Sequence, residues 1–345
     1  SSFVFEFFCH GPATRNGDSV ARHPGSSVVC WAAGRYLMAY DLAKEAWVLE
    51  RGEAHSEAIR DVCFCGDKCC TVADDKTVVL WDTSSWKVLR SWQLQKKPLC
   101  CCFTSPTQVH LGDRFGDVME LDTGSDEAPR VAFSHLAIVT RAAVDEKRRF
   151  LVTGDKDEKV RISRADNTRV IHSFCLGHTS FISAVVPIPS SDLIVSTAAN
   201  GCVRLWRMTG ECLAEVRIQG CISAAAGGKA LVVCLLEGST ALKVVRVHQD
   251  PPGLSPEEHL ELGHCPQAVG IGSLNGRSVV LAVNRSGHLC LPVDLETREP
   301  VKIGALTSLM AGADVPADTV NLHKHNADHD GDGERPVMKR ARHVQ

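Results

Sequence analysis

Three observations predict an all-β chain built from repeated four-stranded sheets. Aligning strand ends on a Trp-Asp dipeptide or its equivalent puts Tyr40-Asp41, Trp81-Asp82, Leu121-Asp122, Ser163-Arg164 and Trp206-Arg207 in one register, with weaker ends near Val247 and Pro292. Their spacing of about 40 to 45 residues is the period of a propeller blade. β-rich runs flank these ends, such as residues 77–80 and 243–246 before and 86–89 after. Helical periodicity is nowhere sustained. The predicted fold is a seven-bladed WD-repeat β-propeller over residues 1–305, followed by a mostly disordered C-terminal tail with a basic end over 306–345.

Taken in order, Phe3, Phe5 and Phe7 alternate with Val4 and Glu6. That period of two predicts a first strand, placed to close the ring by pairing with the last blade and so remove a free sheet edge. Residues 15–26, rich in Gly, Asp and Pro, are expected to form a loop. In the fifth unit Gly177-His178 precedes Trp206 by 28 residues, the spacing of a WD repeat, with Arg207 where Asp is usual. His178 is expected to hydrogen-bond Ser183 on the next strand and through it to approach the Trp206 indole. Asn200 stands where these repeats carry an Asp, so this network is weakened. Elsewhere the marker pair is reduced to His55, Ser134-His135 and Gly263-His264.

Composition narrows the function. The 345 residues carry a net charge of −3, so no overall basic field holds nucleic acid, and any RNA must be held by a partner or a local patch. The sixteen cysteines include Cys63, Cys65, Cys69, Cys70 and the run Cys100-Cys101-Cys102. All of these fall inside apolar strand segments, which predicts free thiols serving as small core filler rather than disulfides or zinc ligands. The chain begins Ser-Ser-Phe with no basic leader, so a reducing, intracellular protein is expected, with the sequon Asn284-Arg285-Ser286 unused. The most apolar window, 222–236, contains Gly227, Gly228 and Lys229 and is too short to span a bilayer.

No catalytic set appears. The nearest approach to a cofactor-binding turn, Gly270-Ile271-Gly272-Ser273-Leu274-Asn275-Gly276, has the wrong spacing and no following helix, and is better explained as a strand with a glycine-containing turn. Gly-x-Ser-x-Gly, Gly-Lys-Ser/Thr and His-Glu-x-x-His are all absent. No cofactor is expected. In the tail, Asp328-x-Asp330-x-Asp332-Gly333 copies half a calcium loop, but Lys339 stands where the bidentate Glu is required. His323, His325 and His329 read as a solvated segment, with a short helix over 318–325 capped by Asp318. The terminal Lys339-Arg340-Ala341-Arg342 is a candidate nuclear import signal or RNA-touching tail, or neither, since such short basic runs are non-specific.

One stretch carries more charge than a turn needs: Asp155-Lys156-Asp157-Glu158-Lys159-Val160-Arg161. Arg161 aligns with Arg204 of the next unit, a common basic position, so the excess is Lys156, Glu158 and Lys159. A solvated turn is the plain reading. Mixed-sign loops also set partner choice at interfaces.

The run 150–163, followed by Ser173-Phe-Cys-Leu-Gly-His-Thr179 and Trp206, resembles the WD-repeat subunit of the tRNA (guanine-N7) methyltransferase. The resemblance implies a non-catalytic subunit, not itself an enzyme. It would bind and stabilise a catalytic subunit that holds S-adenosylmethionine and forms N7-methylguanosine in the tRNA variable loop. It also implies a partner-binding role for Lys156, Asp157, Glu158, Lys159 and Arg161, and contact with tRNA mainly through the complex. The expected location is the nucleus, with the cytoplasm as a second compartment. The alternative, a scaffold or substrate receptor of a cullin ubiquitin ligase, lacks its usual Trp-Asp-x-Arg signature. Trp81-Asp82 is followed by Thr83-Ser84, and Trp206 by Arg207.

Overall fold

The computed structural model describes residues 20–22, 27–44, 46–227, 230–262, 265–274, 277–284, 293–295 and 297. The predicted strand in residues 1–9, Gly263-His264 and the whole tail with its helix, calcium-like run and basic end lie outside the described residues, and the sequon lies only partly within them.

Among the described residues the regular elements are strands, and they fall into seven sheets. The first joins β1 (Val20–Arg22), β2 (Val28–Ala33), β3 (Tyr36–Asp41) and β4 (Ala46–Glu53). The second joins β5 (Ile59–Cys65), β6 (Lys68–Ala73), β7 (Thr77–Asp82) and β8 (Lys87–Gln93), and the third β9 (Pro98–Ser105), β10 (Gln108–Asp113), β11 (Asp117–Asp122) and β12 (Arg130–Ser134). The fourth comprises β13 (Val139–Val144), β14 (Phe150–Asp155), β15 (Val160–Arg164) and β16 (Ile171–Cys175). The fifth comprises β17 (Ile182–Pro187), β18 (Leu193–Ala198), β19 (Cys202–Arg207) and β20 (Cys212–Arg217). β21 (Cys221–Gly227), β22 (Leu231–Leu236), β23 (Ala241–Gln249) and β24 (Pro252–Glu261) make the sixth, and β25 (Pro266–Leu274), β26 (Arg277–Asn284) and β27 (Val293–Asp294) the described part of the seventh.

Each sheet is an antiparallel meander whose strands pair in chain order. Five predicted ends coincide with the ends of β3, β7, β11, β15 and β19. The sixth third-strand runs on to Gln249, and the seventh ends at Asp294, two residues beyond Pro292. Trp86, predicted to start a strand, instead sits at φ 54° in the preceding turn, with β8 beginning at Lys87. The apolar window 222–236 is the β21–β22 hairpin, and the glycine-rich 270–274 run lies in β25, paired back onto β26. Among the described residues no helix is long and apolar enough to cross a membrane.

What closes the ring is side-chain burial between sheets. Seven apolar clusters each straddle two neighbouring blades. In the closing one, Val29, Trp31 and Tyr40 of the first blade pack on Ala268, Val279 and Leu281 of the seventh. Because both faces of a middle strand are covered, such strands read as continuous apolar runs: β18 and β22 are buried at every position. Fourth strands face solvent and alternate, as in β20. Blade approach is close enough to require glycine at 154, where a Cβ would lie 2.5 Å from Ile182 Cγ2 of the fifth blade. A bulge recurs near the start of β5, β13, β17, β21 and β25, the device by which a strand twists locally and turns one extra residue out of register.

Candidate docking surface

A meander places its second-to-third turn and the connection into the next blade at the same end. Among the described residues, a histidine from that connection is drawn inward to brace the turn in the second, fourth and fifth blades. In the second, Thr71 Oγ1 accepts the Trp81 indole N–H at 2.9 Å and lies 2.7 Å from His55 Nε2. Asp75, four residues after Thr71, lies 3.4 Å from His55 Nδ1 and accepts the Ser56 and Thr77 amides. Burial pushes the His55 pKa down, and Asp75 only partly opposes it.

The fifth blade uses the same plan through a different serine from the one expected. Ser196 Oγ accepts the Trp206 indole N–H at 2.7 Å and lies 2.7 Å from His178 Nε2. Ser183 pairs with Thr197 Oγ1 at 2.8 Å instead. The physical reason is the bulge between Ile182 and Ala184 together with strand alternation: Ser196 and Thr197 are adjacent, so they face opposite sides of the sheet. Asn200 donates to Thr179 Oγ1 and accepts the Cys202 N–H, which leaves buried His178 Nδ1 without a partner. Burial, reinforced by the charge of Arg204, pushes the His178 pKa down to about 4.

The fourth blade is rewired, and this is the charged stretch. Thr153 Oγ1 lies 2.8 Å from His135 Nε2, as the pattern requires. Four residues after Thr153 comes Asp157, yet the carboxylate on His135 Nδ1, at 2.9 Å, is Asp155. Burial alone would raise the Asp155 pKa, but hydrogen bonds from His135 and the Lys159 amide outweigh it and hold the carboxyl below its ordinary range. With Asp155 in that role, Asp157 is exposed along with Lys156 and Glu158. No hydrogen bond or ion pair of the described residues engages the side chains of these three. Backbone bonds fix the turn nonetheless: Asp155 N–H to the Lys159 carbonyl at 3.0 Å, and Lys156 N–H to the Ile138 carbonyl at 2.9 Å. Glu158 is held at φ 71°, a left-handed conformation that costs a non-glycine residue roughly 1–2 kcal/mol.

Arg161, grouped by the sequence with the partner-binding residues, does not belong to this exposed set. It is 7% exposed. Its Nε donates to Ser163 Oγ at 2.8 Å, its Nη2 to the Thr168 carbonyl at 3.1 Å, and its guanidinium lies 3.8 Å from the Phe133 ring centre on β12. Ser163 occupies the place of the missing tryptophan, ten residues after Thr153, so Arg161 braces the blade and its neighbour from within. Lys159 is half-buried, with Nζ 3.4 Å from the Asp157 carbonyl.

Four large apolar side chains on the same rim escaped the sequence reading. Leu136 is 94% exposed and Phe115 69%, and Leu176 and Phe181 are exposed as well. The His135 N–H donates to the Gly116 carbonyl at 2.7 Å, which sets the Phe115 turn against the Leu136 segment, and Lys156 is tied to that segment through Ile138. Phe181 accepts the Ala199 amide beside Asn200. Their only sequence signal was a large apolar residue within a strand connection. Charged tips of both signs beside solvated hydrocarbon make a surface suited to another protein.

The opposite end of the fourth blade holds a recess of about 450 Å³ lined by Arg148, Arg149, Phe150, Arg164, Asp166 and His172. Its cations are engaged: Arg149 with Asp145 and Asp192, Arg164 with Asp166, and Arg148 with the Phe103 carbonyl. Deep between the second and third blades, Cys63, Cys70 and Cys101 converge, their sulfurs within 4.8 Å of one another. Burial pushes the Cys63 and Cys101 pKa values up, whereas hydrogen bonds with Cys101 and Cys63 pull that of Cys70 down.

Residues 130–249 match the family model described as the tRNA methyltransferase TRM82 WD40 domain, and residues 48–82 match the WD domain, G-beta repeat. The chain is 35% identical over 136 residues to the mouse tRNA (guanine-N(7)-)-methyltransferase non-catalytic subunit WDR4, covering 39% of this chain and 33% of that protein. It is 27% identical over 193 residues to the Dictyostelium discoideum subunit of the same description, covering 49% and 41%. The chain thus spans about a third to two-fifths of the length of these relatives. A chain from the crystal structure of the mitotic checkpoint complex superposes with TM-score 0.67 at 16% identity, covering 77% of this chain and 83% of that one. The β-propeller domain of Myceliophteria thermophila Cps50 (Swd1) gives 0.64 at 13%, covering 83% and 97%. At such identities these structures speak to the fold alone.

Proposed function

We propose that the chain is a non-catalytic subunit of a tRNA (guanine-N7) methyltransferase, a rigid ring that docks and stabilises the subunit carrying S-adenosylmethionine. One observation carries the reading. The match to the tRNA methyltransferase TRM82 WD40 family model falls on residues 130–249, the stretch that contains the exposed Lys156, Asp157 and Glu158 and the solvated Leu136 on one rim. The partner would present complementary charge to the tips and an apolar pocket to Leu136. It would supply the chemistry at guanosine N7 in the tRNA variable loop, while the ring selects the partner's active conformation through its differential affinity for it. With a net charge of −3, the ring leaves most tRNA contact to the complex. We also propose that the complex works in the nucleus, imported through the basic end of the tail.

The test is co-expression with the catalytic subunit. Lys156→Glu combined with Lys159→Glu, and separately Leu136→Asp, leave the isolated ring within about 0.5 kcal/mol of its original stability. Close interfacial charge pairs carry about 1.5–7 kcal/mol of coupling, so pull-down and tRNA methylation fall together at least tenfold. Full methylation by complexes containing both folded variants would remove this rim as the docking site. Deleting residues 339–342 abolishes nuclear concentration if that run is the import signal.

A further inference from the structure

We propose that Cys63, Cys70 and Cys101 form a buried three-thiol site for a soft monovalent cation, copper(I), which joins the second blade to the third. The placement comes from sheet register. Cys63 on β5 and Cys70 on β6 are directly opposed, so their side chains leave the same face of the second blade. Cys101 comes from β9, the first strand of the third blade, and faces them within the apolar cluster between the two blades. The buried Asp61 carboxylate holds that strand in place, accepting the Cys101 N–H at 2.9 Å.

The geometry suits a three-coordinate ion. Three sulfurs each about 2.3 Å from a common centre lie about 4.0 Å apart in a plane. These three already lie within 4.8 Å of one another, so closing on an ion requires less than an ångström of movement per pair. Structural zinc takes four ligands. Among the described residues no fourth His, Cys, Asp or Glu atom joins the group, so the tetrahedral shell that structural zinc requires would be left incomplete. Copper(I) is thiophilic and accepts three thiolates. Binding exchanges S–H bonds for S–Cu bonds and releases the displaced protons to solvent, with no change of oxidation state. The sequence hid this site, because the three ligands are spaced as ordinary strand residues and only the blade interface brings Cys101 to the other two.

The test uses the reduced full chain, without oxygen, and copper(I) held by bicinchoninate as a coloured competitor. One equivalent of copper per chain should leave the competitor after slow loading, and the melting midpoint should rise. Cys70→Ala and Cys101→Ala should each lose that equivalent, while Cys102→Ala, which removes an equally buried thiol outside the trio, should keep it. X-ray absorption at the copper edge of the unmodified chain gives an answer even if a variant fails to fold: three sulfur neighbours at about 2.3 Å are expected. Two sulfurs, nitrogen or oxygen ligands, copper retained by the trio variants, or no copper withdrawn would each overturn the proposal. So would zinc(II) competing at equal strength.

Discussion

The second and fourth blades solve one structural problem with different residues, and the difference shows where a surface becomes available. In the second, Asp75 is occupied by His55, Ser56 and Thr77, and the turn it serves is closed on itself. In the fourth, Asp155 serves His135 from two positions earlier in the count, so Asp157 and its neighbours point outward. The second blade anchors its third strand with Trp81, and the fourth with Ser163 and the inward guanidinium of Arg161. A repeat that hands its internal duties to substitute residues gains side chains for other uses.

The sharpest break of this comparison is Trp81→Ala. A buried tryptophan lost from the cluster between the first and second blades costs about 3–5 kcal/mol, read as a shift in the urea midpoint. Its counterpart Ser163→Ala, which removes one hydrogen bond, costs about 1 kcal/mol. Equal losses at the two sites would mean the fourth blade depends on that position after all.

Arg161→Leu comes next. It leaves the Thr168 carbonyl and Ser163 hydroxyl without their donor in a buried site and costs about 2–4 kcal/mol. Partner binding measured well below the melting midpoint is retained. Its loss in a folded variant would return Arg161 to the docking surface.

The braces also differ in acid. His178 has no carboxylate on Nδ1, and its pKa lies at about 4 against an ordinary 6.5; buried His110 is likewise pushed to about 4 by burial. A histidine whose folded pKa is depressed binds protons first in the unfolded chain. Its contribution is therefore complete above pH 6.5 and is lost as pH falls toward about 4. Each such histidine adds a slope of up to about 1.4 kcal/mol per pH unit within that window. Denaturant midpoints across pH 4–7 check this, and His178→Gln should flatten the slope. An unchanged slope would show that His178 titrates normally.

The smallest expected effect is Asn200→Asp, which restores the carboxylate four residues after Ser196. The gain is about 0.5–1 kcal/mol, one hydrogen bond to a previously unpaired buried nitrogen. The His178 titration, followed by NMR, should move upward. No movement would mean that the turn keeps its side chain on Thr179.

The blade period, five strand ends and the burial of the cysteines at 63–70 and 100–102 were legible because a sheet's period of two and a repeat's fixed spacing are local properties of the chain. Likewise, the excess charge at 155–161 could be seen without knowing where any side chain points. Which charges face outward could not be read the same way, since Arg161 and Lys156 look alike as letters. Arg161 lies within β15 and turns toward Phe133, whereas Lys156 lies in the preceding turn and stands in water. The His178 partner was misplaced for a related reason: a single bulged residue reverses the face on which Ser183 lies.

The sequence by itself determined a seven-fold β repeat with one over-charged turn and no catalytic motif, because spacing, alternation and composition survive without contacts. Only the tertiary structure decided that Asp155 rather than Asp157 serves His135, and that Leu136 stands in solvent beside Lys156. Only it brought three cysteines from two blades to one point. These outcomes depend on which residues of neighbouring sheets meet, and that is set by packing between blades, where chain positions some thirty residues apart become adjacent.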